Sequence, residues 1–127
     1  MTLHVTQTAF SLNVPEPASS AAFLTTHFGY AETMNHEVMI SLDHPSGGSQ
    51  VVLLQTGLPS FTPAHRAGSA GDGLLIVLVV TGIDAAHQTL VGAGVPVVTE
   101  PTTEPWGERY SQYQDPNGLI VQLVEWV

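Results

Sequence analysis

With cysteine absent from this 127-residue chain, histidine and carboxylate are the first side chains to consider for a reactive centre. That absence removes thiolate catalysis, disulfides and Cys-ligated metal sites. The six histidines are scattered: His4 before a first strand, His27 closing a helix, His36 and His44 in turns, His65 in a long loop and His87 mid-helix. No two are spaced as a ligand pair on one helical turn, so surface histidine is expected throughout, with His65 the nearest exception because a loop can close over a ligand. No paired carboxylates or Ser-His-Asp spacing stand out, and Gly71-Asp72-Gly73 precedes a strand rather than the helix a phosphate cradle requires. Asp115 reads as a turn residue, Asp84 as a first-turn helix residue, and Arg109 beside Glu108 as salt-bridged or solvated. Neutral polar chemistry remains. Gln122 lies in a final strand with apolar Ile120 and Val124 on its own face, which suggests a cavity there. Trp106 either stacks on a flat or cationic ligand or anchors its loop on the core.

The charge balance narrows the partners. Two basic residues, Arg66 and Arg109, stand against eleven acidic ones, for a formal charge of −9. Nucleic acid, which needs clustered Lys and Arg, is excluded as an expected partner. The acidity is read either as a field for a cationic ligand or as a solubility device. The longest apolar run, 74–80, is too short to cross a bilayer, and Met1-Thr2-Leu3-His4 lacks a basic leader start, so no membrane association and a cytoplasmic location are expected. The length suits a single domain, 1–127.

These residues need elements to hold them. Asp115-Pro116-Asn117-Gly118 is a turn signal between two strand-like runs, 109–114 and 119–125. Upstream, strand 5–14 is stopped by Pro15 and Pro17, a helix runs to Phe28 with its C-cap at Gly29, and strands are expected at 30–35, 37–43 and 49–55. The order then repeats. Run 74–80 reads as a strand buried on both faces, 83–93 as a helix closed by Gly94, and 97–100 as a further strand. Val14 and Val80, like Gly29 and Gly94, recur at an offset of about 65 residues. Residues 5–55 and 73–127 thus form two βαβββ modules joined by a Gly/Pro/Ser-rich linker, 56–72, in an α+β fold.

Pro105-Trp106-Gly107, a strand, the Asp-Pro-Asn-Gly turn and a closing strand resemble the second half of vicinal-oxygen-chelate proteins. That superfamily includes glyoxalase I, extradiol dioxygenases, fosfomycin-resistance enzymes and bleomycin-resistance proteins. The resemblance implies tandem βαβββ modules forming a curved mixed sheet around a cleft, and a homodimer. It also implies that Tyr110 and Gln112 share the face of Gln122, either as ligand contacts or as a buried amide network.

Metal-dependent members of that superfamily carry four His or Glu ligands, one on each of four strands. Alignment by resemblance places those positions at Ala9, Leu53, Leu75 and Gln122, with Ala9 and Leu75 related by the repeat offset. Three of these side chains have no lone pair to give, and a lone amide oxygen is a weak donor. A one-residue slip offers only Phe10, Val52, Leu54, Leu74, Ile76, Val121 and Leu123. No metal and no cofactor are expected.

The expected function is therefore that of the metal-free, bleomycin-resistance-type members: binding a small molecule, cationic or aromatic, and sequestering an antibiotic or metabolite. Ala9, Leu53, Leu75, Trp106, Tyr110, Gln112 and Gln122 are the expected ligand-binding residues. The alternative is a lyase, isomerase or dioxygenase whose metal is held by other residues, or which reacts without metal at Tyr110 and the glutamine pair. A third class is an accessory protein whose cleft takes a peptide or partner. Protein purified without chelator, loaded with divalent ions and desalted, should keep less than about a tenth of an equivalent of metal per chain by plasma mass spectrometry.

Overall fold

Asp115 sets the geometry of the closing hairpin. Its Oδ1 accepts the backbone N–H of Asn117 at 2.9 Å and of Leu119 at 2.7 Å, and its own N–H bonds to the Leu119 carbonyl. Gly118 sits at φ 88°, a conformation that a side chain would strain. This turn joins the last two strands of eight in the computed structural model, which describes residues 3–127. Met1 and Thr2, read above for a leader, lie outside the described residues.

The chain divides into two compact units, the first ending at Ala70 and the second spanning Gly71–Val127. In the first, strand β1 (Ala9–Val14) leads to helix α1 (Pro17–His27) and strands β2 (Ala31–Asn35), β3 (Met39–Asp43) and β4 (Gln50–Gln55). The sheet order is β1-β4-β3-β2, with β1 and β4 parallel and the other pairs antiparallel. One face is covered by α1, and Leu12, Val14, Leu24, Ile40, Leu42 and Leu53 form its core. The expected linker is pinned to this unit. Asn13 Nδ2 donates to the carbonyls of Arg66 and Gly68, at the end of a short 3-10 turn (Ala64–Ala67).

The second unit repeats the plan with β5 (Leu75–Val79), α2 (Ile83–Gly92), β6 (Val97–Thr103), β7 (Glu108–Gln114) and β8 (Ile120–Trp126), in sheet order β5-β8-β7-β6. Four-stranded mixed sheets and helices make the fold α+β, in two βαβββ units. Strand β5 departs from the expectation of burial on both faces. It is an edge strand, and Leu75, Val77 and Val79 on one face are 40%, 48% and 65% exposed while Ile76 is buried on the other. A continuous apolar run does not distinguish these cases. Strand β6 extends through Pro101 by means of register shifts on either side of Thr99.

The two sheets correspond rung by rung. Ala9 faces Gln50 as Leu75 faces Ile120, so the rung Gln112–Gln122 of the second sheet answers to Ser41–Val52 of the first.

Helix α2 is tied to its sheet by Glu125, whose carboxylate accepts the N–H groups of Gly82 at 2.8 Å and Ile83 at 3.0 Å. These backbone bonds hold the Glu125 pKa below its ordinary value. A carboxyl whose folded pKa is depressed adds stability above its unfolded pKa and loses it as pH falls through the folded value. Glu125→Gln should therefore melt below the wild type at pH 7, and the gap should narrow as pH drops below about 4.3 in thermal scans.

Candidate functional site

The register of β7 against β8 decides which side chains meet. Glu108 stands opposite Trp126, Tyr110 opposite Val124 and Gln112 opposite Gln122, and all six share the face of the second sheet turned away from α2. Inward of them, Ser111, Tyr113, Val121 and Leu123 are buried on the helix side.

Glu104, Trp106, Glu108, Tyr110, Gln112 and Gln122 line a cavity of about 290 Å³ on this open face. Its floor is an ordered row of polar groups. The Thr99 hydroxyl donates to Gln112 Oε1 at 2.8 Å, and Gln112 Nε2 donates to Gln122 Oε1 at 2.8 Å. Gln122 is 8% exposed, and its Nε2, which makes no hydrogen bond among the described residues, keeps part of that exposure.

Two carboxylates form one end. The Tyr110 hydroxyl donates to Glu104 Oε1 at 3.2 Å, and the Trp106 indole N–H donates to Glu108 Oε1 at 3.1 Å. Desolvation first, and then the bond to Glu104, push the Tyr110 pKa above its usual value, so the phenol stays neutral and donates. The loop carrying Trp106 is latched at both ends: Glu104 N–H bonds to the Glu108 carbonyl and Val127 N–H to that of Gly107. Gly107 has φ 88°, and a Cβ there would stand 3.0 Å from the Val127 carbonyl oxygen, so this latch needs glycine.

The expected site residues separate on inspection. Trp106, Tyr110, Gln112 and Gln122 come together, and Leu75 lies on their face at the edge strand. Ala9 and Leu53 belong to the first unit, on opposite faces of one sheet. Ala9 pairs with Gln50 on the open face, while Leu53 pairs with Leu12 on the helix-covered face and is fully buried. Leu53 is thus a core residue and not a ligand contact. Val52 and Leu54 occupy the open face instead. Of the positions that the resemblance aligns with metal ligands, Gln122 offers an amide oxygen while Ala9, Leu53 and Leu75 offer hydrocarbon, a donor set that does not fit a divalent ion. Among the described residues no three His, Asp or Glu side chains gather to hold one.

One side-chain expectation changes. His87 is buried rather than at the surface, with Nδ1 2.7 Å from the Tyr113 hydroxyl, which in turn donates to Ser111. Arg109 is salt-bridged, to Asp84 at 2.7 Å. Glu104, Glu108, Thr99 and Trp126 were not among the expected site residues. Strict alternation along β7 and β8 points to Glu108 and Trp126, whereas the irregular register of β6 hides Thr99.

The family model described as the Glyoxalase/Bleomycin resistance protein/Dioxygenase superfamily matches residues 3–123. The chain belongs to that superfamily. An uncharacterized protein of Mycobacterium bovis is 39% identical over 62 residues, which are 49% of this chain and 39% of the relative, so the chain spans well under half of that relative's length. Among solved structures, a superfamily member from Sphaerobacter thermophilus superposes with a TM-score of 0.74 at 25% identity, covering 96% of this chain and 98% of the other. TnmS3, an antibiotic binding protein from Streptomyces sp. CB03234, gives 0.75 at 20% identity with both chains covered completely. At that identity the likeness to TnmS3 speaks to fold alone.

As a superfamily scaffold, the first sheet should respond to mutation by burial. Leu53→Ala should cost about 2–5 kcal/mol in urea unfolding, whereas exposed Ala9→Ser should stay within about 0.5 kcal/mol.

Proposed function

We propose that this superfamily member binds a small organic cation with a flat or aromatic body, without a metal, and sequesters it rather than transforming it. One observation carries the reading: Glu104 and Glu108 line one cavity together with the two aromatic side chains, Tyr110 and Trp106, that are hydrogen-bonded to them. Carboxylates and electron-rich ring faces both attract a cation, and the aromatic surface accepts the flat part of its body. The chain's excess of acidic residues works in the same direction at longer range.

The remaining lining groups are amides. They orient a ligand but do not take or give protons near neutrality, which favours retention over chemistry. The antibiotic-binding role of TnmS3 is consistent with this reading, and sequestration of a cationic antibiotic or metabolite is its concrete form. The cavity is at the small end of ligand sites. Leu75, Val77 and Val79, exposed on the same face, suit a cytoplasmic homodimer in which a second copy adds apolar wall.

Both tryptophans of the chain, Trp106 and Trp126, flank Glu108, so intrinsic fluorescence reads the site directly. Titration with the aromatic cation para-acetylbenzylammonium should change the emission saturably. The double variant Glu104→Gln/Glu108→Gln should weaken binding at least about tenfold. Undiminished affinity in that variant would overturn the cation reading.

A further inference from the structure

The row Thr99, Gln112, Gln122 crosses β6, β7 and β8 at one rung and ends at Val77 of β5, which has no polar side-chain group. A chain of hydrogen bonds through two amides has a direction. Here every step runs the same way, from the Thr99 hydroxyl to Gln112 Oε1 and from Gln112 Nε2 to Gln122 Oε1. Both oxygens that face along the row are occupied. The uncommitted end is the NH₂ of Gln122, on a side chain more than nine-tenths buried, at the wall of the cavity.

The opposite direction is sterically equivalent, since a hydroxyl accepts as readily as it donates and an amide can turn over. It would present Gln122 Oε1 to the same cavity that Glu104 and Glu108 line. An oxygen dipole facing two carboxylates is repelled, while the positive end of the amide is attracted, so the acidic wall selects the observed direction. Successive bonds polarise one another and strengthen the donor at the far end.

We infer that Gln122, oriented through Gln112 and Thr99, is a specificity-determining hydrogen-bond donor, and that the ligand carries a neutral acceptor oxygen in addition to its cation. This rests on the cation reading for the other end of the ligand. Tyr110, which reaches Glu104, is two residues from Gln112 on β7, so the rungs carrying the two ends of the cavity are about 7 Å apart along the strand. An amino ketone, amino amide or amino ether fits this spacing. A simple alkylammonium covers the Gln122 NH₂ as it binds and leaves it without a partner, which is how a polar site rejects an apolar analogue.

Two measurements test the inference. In protein labelled with ¹⁵N and ¹³C, a correlation through the hydrogen bond from Gln112 Nε2 to Gln122 Cδ is expected without any ligand. The reverse correlation, from Gln122 Nε2 to Gln112 Cδ, or no correlation in either sense, overturns it. In parallel, para-acetylbenzylammonium should bind about tenfold more tightly than para-ethylbenzylammonium, and the preference should vanish in Gln122→Leu. Equal affinity of the two compounds for the wild type overturns the acceptor specificity. If neither compound binds while the Gln112-to-Gln122 correlation is present, the cation reading falls and the donor orientation of Gln122 stands.

Discussion

The bonds from Asp115 to the backbone of Asn117 and Leu119 fix where β7 ends and β8 begins, and every relation on the open face follows from that register. A carboxylate that accepts two backbone N–H groups inside a turn leaves the hairpin a single way to close. Glu108 then meets Trp126, Tyr110 meets Val124 and Gln112 meets Gln122. A slip of one residue would send all of these to the helix side and bring Ser111 and Tyr113 into the open. The buried His87–Tyr113–Ser111 chain opposes such a slip from below, because its groups are satisfied only in the present register.

The sequence made the element order, the α+β class and the duplicated plan legible, since turn residues and helix caps are local signals. Gly29 and Gly94 do adopt positive φ where the helices end. Face assignment was legible only where polar and apolar residues alternate. Along β7 and β8 alternation is clear, and Tyr110, Gln112 and Gln122 fall on one face together. Along β4 the residues Val51, Val52, Leu53 and Leu54 are all apolar, so nothing in the pattern tells which pair lies under α1, where Leu53 is packed. The burial of His87 is hidden from the sequence for a related reason. A histidine at mid-helix is equally at home on either face, and only Tyr113, 26 residues away, explains its burial.

The site shows how a shared scaffold is turned to different ends. On the open face of the second sheet Gln122 lies in a row of neutral polar groups, Thr99 and Gln112, in a cavity that two carboxylates also line. The fold fixes the rung, while the side chains on it decide what the rung can do. Charge is kept to one end of the cavity, at Glu104 and Glu108, and the floor is left to groups without net charge.

The correspondence of Gln112–Gln122 with Ser41–Val52 has an evolutionary side. Duplication supplies two copies of one architecture, and a substitution tolerated in one need not be tolerated in the other. In this chain the rung of the first half has a small hydroxyl and a branched hydrocarbon where the second half has its amide pair. One backbone plan thus carries different side chains at the same rung, and a change on the second sheet at this rung leaves the backbone pairing of the first untouched.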